Sequence, residues 1–423
     1  MAKNELINVF CFDKEIGRIG FDENAGKSFF QYHPDFLESN IYKNLIPQTG
    51  VIRRVKQVQV FSQFNNETFK GLPPIFADSL PDLFGNIIFK TWLESNNKNF
   101  NQISVIEQLA YVANRGMGAL EYKPAMEIPK NTSIDLEEIT GVLKAVLSKK
   151  EATRPGKLNS QSLLNIFKIG TSAGGARPKI LISENKHTGE IMPGDLNTAA
   201  DFNHYLVKLA LDEEDGFERE KVEYAYYKTA LSLGINIMPS KLIDNKHFAT
   251  QRFDRQNGQK KHVLTASGLT GWDFKSPENS SYENLFELAI FLKIPHREIE
   301  ALYRRMLFNI IFCNTDDHLK NHSFIYNEKT DKWNLAPAYD LNYALHPLIN
   351  YKRITRALSV NNKRVDIQLN DLLKIAEQYT IKNPKGSMAE IQESIEIWEQ
   401  ELKNLDISPK MISSMKKDFL MFV

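Results

Sequence analysis

Asn314-Thr315-Asp316-Asp317-His318-Leu319-Lys320-Asn321, with Ala338-Tyr339-Asp340 a short apolar stretch later, is the part of this chain that decides its reading. An aspartate, an asparagine five positions on and a further isolated aspartate form the spacing of phosphoryl-transfer enzymes of the protein-kinase type. In that reading Asp316 orients an attacking hydroxyl and accepts its proton. Asn321 and Asp340 hold Mg²⁺ against nucleotide phosphates. His318 contacts the transferring phosphoryl group or orders the loop, and Lys320 neutralises phosphate charge. The flanks suit a catalytic loop. Pro295 to Phe312 carries Ile299, Leu302, Met306 and Ile310 at helical spacing, and Ser323-Phe324-Ile325-Tyr326 reads as a strand.

Working upstream, the same reading requires groups for the phosphates. Gly170 to Lys179 is glycine-rich and precedes the β-prone run Ile180-Leu181-Ile182. Glycines let backbone N–H groups approach phosphate oxygens, and Arg177 and Lys179 add charge. It is not a Walker A loop, because Ile180 follows Lys179. Lys208 ends another β-prone run, as a phosphate-binding strand lysine does, and Glu223 lies in the amphipathic helix beyond it as an expected partner. Gln251-Arg252-Phe253-Asp254 falls where the strand-rich part gives way to the helix-rich part. There its backbone would pair the adenine edge, with Phe253 packing nearby; Asp254 between Arg252 and Arg255 equally suits a structural ion pair. Thr171 and Ser172 are hydroxyls inside the glycine-rich loop. Phosphorylating either would place about −1.5 to −2 charges where nucleotide phosphates bind.

Two other readings use the same residues. Asp316, Asp317, His318 and His322 are metal ligands by type, which admits a metal hydrolase, although no HExxH pattern flanks them. Turn-forming Asp and Asn in a solvated loop are the plainer alternative.

Composition sets the outer limits. A chain of 423 residues exceeds one ordinary core, and its 42% hydrophobic and 25% charged content is that of a globular protein. A net charge of +1 argues against a protein whose main task is gripping a polyanion, leaving Lys260-Lys261-His262 and Lys416-Lys417 as solvated surface. Cys11 and Cys313 are the only cysteines, too few for a disulfide framework or a multi-cysteine zinc site. The first residues lack an apolar signal core and no segment is long and apolar enough to span a bilayer, so the expectation is a cytoplasmic protein without membrane contact. Short strands are expected over Leu6 to Phe12 and Ile16 to Phe21, and helices from Asn86 to Leu93, from Asp135 to about Leu147 and from Ser160 to Phe167. Further helices are expected over Glu220 to Leu233 and Tyr282 to Leu292, with one late helix marked by Ile391, Ile395, Trp398, Leu402 and Leu405. The expected segments are 1–125, 126–255 with the phosphate-binding loop, and 256–423 with the catalytic loop.

Taken together, Ser172 to Lys179, Gln251 to Arg255, Asn314 to Asn321 and Ala338 to Asp340 resemble the motif series of the HipA family, bacterial serine/threonine kinases that act as toxins of toxin–antitoxin modules. Leu72 to Gly85 is similar to the proline-rich segment of that family's N-terminal domain, so the resemblance covers nearly the whole chain. It implies an α+β, two-lobed protein-kinase-like fold with a strand-rich N-terminal domain and an all-helical C-terminal lobe. It implies ATP and Mg²⁺, with Asp316 as base and Asn321 and Asp340 as metal ligands. Gly174, Gly175, Ala176, Arg177, Lys179 and Lys208 would hold the phosphates, with His318, Lys320 and Tyr339 beside them. Gln251, Arg252 and Phe253 would follow the adenine. Ser172 matches the autophosphorylated serine of the family, with Thr171 next to it. The implied partners are a HipB-like helix-turn-helix antitoxin, operator DNA through that antitoxin, and an aminoacyl-tRNA synthetase as substrate. Gln251 departs from the family, where an acidic residue is common. A lipid or small-molecule kinase, or an inactive antitoxin- and DNA-binding partner, are the alternatives.

Overall fold

The computed structural model describes residues 6–81, 83–95, 97–125, 137, 139–141, 177–194, 200–211 and 216–422. They form two compact units. The first contains residues 1–211, 249–263 and 268–271; the second contains 212–248, 264–267 and 272–423.

In the first unit, β1 (Leu6–Cys11), β2 (Lys14–Asp22), β3 (Lys27–Tyr32), β4 (Gln59–Phe61) and β5 (Leu120–Lys123) make a sheet in the order β4-β3-β2-β1-β5. Phe12 and Asp13 both adopt positive φ, the two-residue turn that matches the twist of a β1–β2 hairpin. Ile7, Val9 and Cys11 alternate inward along β1, which fixes its register. Four helices accompany the sheet: α1 (Pro34–Glu38), α2 (Pro74–Ala77), α3 (Leu83–Ser95) and α4 (Val105–Val112). A reciprocal capping box between Ser104 and Glu107 starts α4. The segment expected to be helical from Asn86 to Leu93 lies inside α3.

Next in the same unit come β6 (Lys179–Asn185), β7 (Ile191–Pro193) and β8 (Phe202–Lys208), with β6 antiparallel to both neighbours. Lys179 pairs with Lys208, and Ser183 with His204, so these four side chains share one face of the sheet. The helices expected over Asp135 to Leu147 and Ser160 to Phe167 lie almost wholly outside the described residues, of which only Glu137 and Ile139 to Gly141 are helical there.

Segment 249–263 joins this unit through a buried ion node. Asp254 is 0% exposed and accepts from Arg252 Nε and Nη2 at 2.9 and 2.7 Å, from Arg255 Nη1 at 2.7 Å and from the Gly118 N–H at 2.8 Å. Arg255 also donates to the Gly116 and Gly118 carbonyls. Burial alone would raise the Asp254 pKa, but the two guanidiniums and the amide hold it far below the usual carboxylate range. β11 (Arg255–Gln256) and β12 (Gln259–Lys260) turn through Asn257-Gly258, both at positive φ. Lys260 is consumed by Glu121 at 2.5 Å and the Asn114 carbonyl at 2.7 Å, and His262 is fully buried. Of the basic run expected as solvated surface, these two residues are structural.

β9 (Ser240–Ile243) lies in the second unit, while β10 (His247–Gln251) and β13 (Val263–Thr265) cross the points where the chain passes between units, as does α6 (Ala266–Thr270). The second unit is mainly helical: α5 (Arg219–Ser232), α7 (Tyr282–Phe291), α8 (His296–Ile311), α9 (Leu369–Gln378), α10 (Pro384–Glu393), α11 (Ile395–Asn404) and α12 (Pro409–Lys416). Gly234, at φ +68°, terminates α5 in the left-handed conformation that favours glycine. Ile299, Leu302, Met306 and Ile310 are all buried, as their spacing predicts. Around them Tyr226, Phe308, Phe312, Trp398 and Phe419 pack edge-on or stacked, and Tyr226 donates to the Phe312 carbonyl at 2.5 Å.

Two expectations change here. The late helix is two helices, because the chain bends at Ser394, whose hydroxyl bonds back to the Ile391 carbonyl at 2.7 Å. The unit is also not all-helical: the alternating Ser323-Phe324-Ile325-Tyr326 needs a pairing partner, and β14 (Ser323–Asn327) finds it in β15 (Lys332–Leu335).

Asp254→Ala leaves Arg252 and Arg255 buried without their carboxylate, a loss of about 3–5 kcal/mol measurable by urea denaturation. A second prediction concerns pH. Burial, aided by Arg252 and Arg255, lowers His204 to about 4, and burial lowers His262 to about 3. Unfolded histidines titrate near ~6.5, so below that pH the unfolded chain gains protons that the native state refuses. The stability these residues contribute is full above about pH 6.5 and is lost progressively toward pH 4 and 3. His262→Leu should cut the slope of unfolding free energy between about pH 6 and 5 by roughly 1.4 kcal/mol per pH unit.

Candidate active site

One face of α8 organises the centre of the second unit. Glu298 accepts from the Leu335 N–H at 2.8 Å and from the Asn334 amide at 3.0 Å. Arg305 donates to the Ala336 carbonyl at 2.8 Å. Asn309 lies one helical turn further along. The three share a face, and Glu298 and Arg305 hold the strand that leads to Asp340. From the other side the Ala338 N–H donates to the Asn236 carbonyl at 2.7 Å.

Where α8 ends, the chain turns through Cys313 at φ +56° and the Asn314 N–H bonds back to the Asn309 carbonyl at 2.8 Å. The Asn314 side chain donates to Asn309 Oδ1 at 3.1 Å and to the Asp340 carbonyl at 3.0 Å. Arg356 is buried and reaches the carbonyls of Asn309, Ile310 and Asn314. The following residue, Ala357, donates its N–H to the Thr315 carbonyl at 2.9 Å. Residues 314–321 are therefore fastened at several points of their backbone.

Within that frame Asp316 is exposed and Asp317 is buried. The Asn321 amide nitrogen donates to the Asp316 carbonyl at 2.9 Å, which closes the loop and leaves Asn321 Oδ1 as the oxygen available to a cation. Asp340 sits at φ +52°, in the left-handed region that aspartate tolerates. Burial lowers the His318 pKa, opposed by the carboxylates of Asp316, Asp340 and Asp317, so the ring is neutral at pH 7. Asn314, two residues before Asp316, holds the Asp340 carbonyl, which ties the segment carrying Asp340 to the loop. Phe274 packs on His318 with centroids 4.8 Å apart, and Lys320 Nζ lies 5.4 Å from the Phe274 ring. Tyr339 donates to the Lys320 carbonyl at 2.7 Å and shares a 2.5 Å bond with Ser323.

Asn321 Oδ1 and the Asp340 carboxylate are hard oxygen donors, the type of which Mg²⁺ takes one or two before completing its shell with water and substrate phosphates. The zinc-type grouping is different. His322 Nε2 lies 2.6 Å from Asp317 Oδ1, and Tyr282 hydrogen-bonds the other oxygen. Among the described residues no group of three or more His, Cys, Asp or Glu is placed to hold a metal. The hydrolase reading has no centre there.

The remaining candidates are carried by other segments. Arg177 is exposed, and Lys179 and Lys208 are buried opposite each other across β6 and β8. Glu223 is buried on α5, in the second unit, whereas Lys208 belongs to the first. Gln251 ends β10 with its amide 3.4 Å from Asn203 Oδ1, Phe253 is buried, and the Arg252 guanidinium is committed to Asp254. Thr171, Ser172, Gly174, Gly175 and Ala176 lie outside the described residues.

Sequence reasoning gave no role to Tyr282, Asn309, Asn314, Arg356 or Phe274. One signal was present: Asn309 interrupts Leu307-Phe308-Asn309-Ile310-Ile311, and an amide on an apolar helix face needs a partner. Arg356 and Tyr282 meet the loop only through long-range folding, which spacing does not reveal.

The HipA-like C-terminal domain family matches residues 171–401, and the HipA N-terminal domain family matches residues 7–123. A protein described as a "putative kinase" from Sinorhizobium fredii is 21% identical over 229 residues, covering 49% of this chain and 54% of the relative. A second "putative kinase", from Haemophilus influenzae, is 28% identical over 190 residues, covering 40% of this chain and 52% of the relative. The matches thus span about half the length of each of these relatives. Among solved structures, the HipA, HipB and operator DNA complex of the Shewanella oneidensis toxin–antitoxin system contains a chain of the same fold. It has a TM-score of 0.65 at 16% identity, covering 97% of this chain and 95% of that one. Among the described residues no helix is long and apolar enough to cross a membrane.

Proposed function

Since the chain belongs to the HipA family, we propose that it is an ATP-dependent protein serine/threonine kinase working in a toxin–antitoxin module. The observation that carries this reading is the fastened loop in which Asp316 stands exposed, Asn321 closes onto the Asp316 carbonyl, and Asn314 pins Asp340. That is positioning, which phosphoryl transfer depends on most.

Asp316 takes the proton of an incoming serine or threonine hydroxyl. Asn321 Oδ1 and the Asp340 carboxylate would hold Mg²⁺, which would supply charge neutralisation at the phosphates. Neutral His318 offers a ring N–H to a phosphoryl oxygen, and Lys320 adds positive charge beside it. Lys179, Lys208 and Arg177 hold the nucleotide phosphates with the glycine-rich stretch Gly174-Gly175-Ala176. Gln251, Arg252 and Phe253 follow the adenine, Arg252 through its backbone because its side chain is engaged, and Tyr339 flanks the phosphates. Phosphorylation of Ser172 or Thr171 restrains the enzyme by like-charge repulsion. The partner is a HipB-like helix-turn-helix antitoxin that carries the complex to operator DNA. The substrate is a translation protein of the aminoacyl-tRNA synthetase class, in the cytoplasm. The relatives described as kinases and the fold shared with a HipA chain support this reading.

The test uses purified wild type and Asp316→Asn with Mg²⁺-ATP and a cell extract, read by phosphopeptide mass spectrometry. Wild type should label serine or threonine, and Asp316→Asn should lose about 10²–10⁴-fold in rate while still binding nucleotide. Label appearing only on lipids or small hydroxyl compounds would move the assignment to another kinase class. No transfer at all, with an antitoxin–DNA complex still forming, would make the chain an inactive partner. Separately, Lys208→Met should weaken nucleotide binding by about 1–3 kcal/mol, the loss of one charged hydrogen bond, in a fluorescent-nucleotide titration.

A further inference from the structure

Behind the exposed face of the loop lies a buried polar node that the chemistry above does not use. Asp317 accepts from Tyr282 through one carboxylate oxygen and pairs with His322 through the other at 2.6 Å. The Asn309 amide donates to the same Tyr282 hydroxyl at 3.2 Å. Asn309 Oδ1 in turn accepts from Asn314, and Asn314 donates to the Asp340 carbonyl. The chain of contacts runs Asp317–Tyr282–Asn309–Asn314–Asp340. One end adjoins the proposed base, Asp316, and the other is the proposed metal ligand. Tyr282, Asn309, Asn314, Asp317 and His322 are all more than nine-tenths buried.

We propose that Tyr282 and Asp317 are positioning residues, which hold the base and the metal ligand in one fixed arrangement through the Asn309–Asn314 amides. This rests on the kinase reading of the same site. The physical case is the burial of the node: a hydrogen bond lost there leaves buried polar groups unsatisfied, so the freed groups must move to find partners. Motion at Asp317 shifts Asp316, its chain neighbour, and motion at Asn314 releases Asp340. Neither Tyr282 nor Asp317 faces the reacting atoms, so their loss acts on the rate of transfer more than on nucleotide affinity.

The test compares wild type, Tyr282→Phe, Asp317→Asn and the double variant. Each single change should lower kcat for protein phosphorylation about tenfold or more, with nucleotide affinity close to wild type. Because the two residues act as one unit, the double variant should be little worse than the worse single variant. Additive losses, an effect confined to KM, or unchanged kcat would overturn the proposal while leaving the kinase reading intact. If wild type itself transfers no phosphate, the functional reading fails and hydrogen exchange decides the positioning claim alone. Tyr282→Phe should then speed exchange in 314–322 and at Ala357, whose amide bonds the Thr315 carbonyl, with α9 to α12 unaffected. Unchanged exchange there would overturn it.

Discussion

The side chain of Asn314 is the constraint on which the site depends. A single amide nitrogen donates both to Asn309, on the helix that supports the loop, and to the carbonyl of Asp340, which arrives from a separate strand. The residue is buried, so neither bond competes with water. Everything else reinforces the same join. α8 holds the approaching strand through Glu298 and Arg305, and Arg356 clamps the carbonyls where α8 runs into the loop. In the proposed site, placing two oxygen ligands and a base without such fixtures would cost the entropy of ordering them at each turnover.

The first unit relies on charge in a different way. Its ion node is fully enclosed, with both guanidiniums and a backbone N–H directed at one carboxylate. Such a node is specific more than it is strongly stabilising, because removing three charged groups from water offsets most of their attraction. What it achieves is register: residues 252–255 are set against Gly116 and Gly118, which fixes the chain just beyond the end of β10 at Gln251. Lys179 and Lys208 face each other at the far end of the β6–β8 ladder. Like charges directly opposite are unfavourable.

Much of this was legible in the sequence where the pattern is local. The strand alternation of Leu6 to Cys11 and the α8 stripe follow from period, while Asp316, Asn321 and Asp340 were singled out by motif spacing. Three things were not. The break at Ser394 hides inside an apolar series that runs on across it, because Ile391 and Ile395 keep helical spacing while the backbone bends. The role of Arg252 was open between adenine and ion pair, and only the fold brings Gly118 up to Asp254. The Tyr282–Asn309–Asn314 node joins residues from three segments, and nothing in their spacing announces it. Local signals single out the candidate residues; the contacts that hold them still are tertiary.

The central claim is that Asn321 and Asp340 share one divalent cation beside Asp316. A crystal structure with Mn²⁺ and a non-hydrolysable ATP analogue, read by the anomalous signal of the metal, tests it most directly. The account predicts a metal about 2.2 Å from Asn321 Oδ1 and an Asp340 carboxylate oxygen, with nucleotide phosphates completing its shell. A metal bound elsewhere, or a nucleotide that binds with neither residue in its metal's shell, would contradict it.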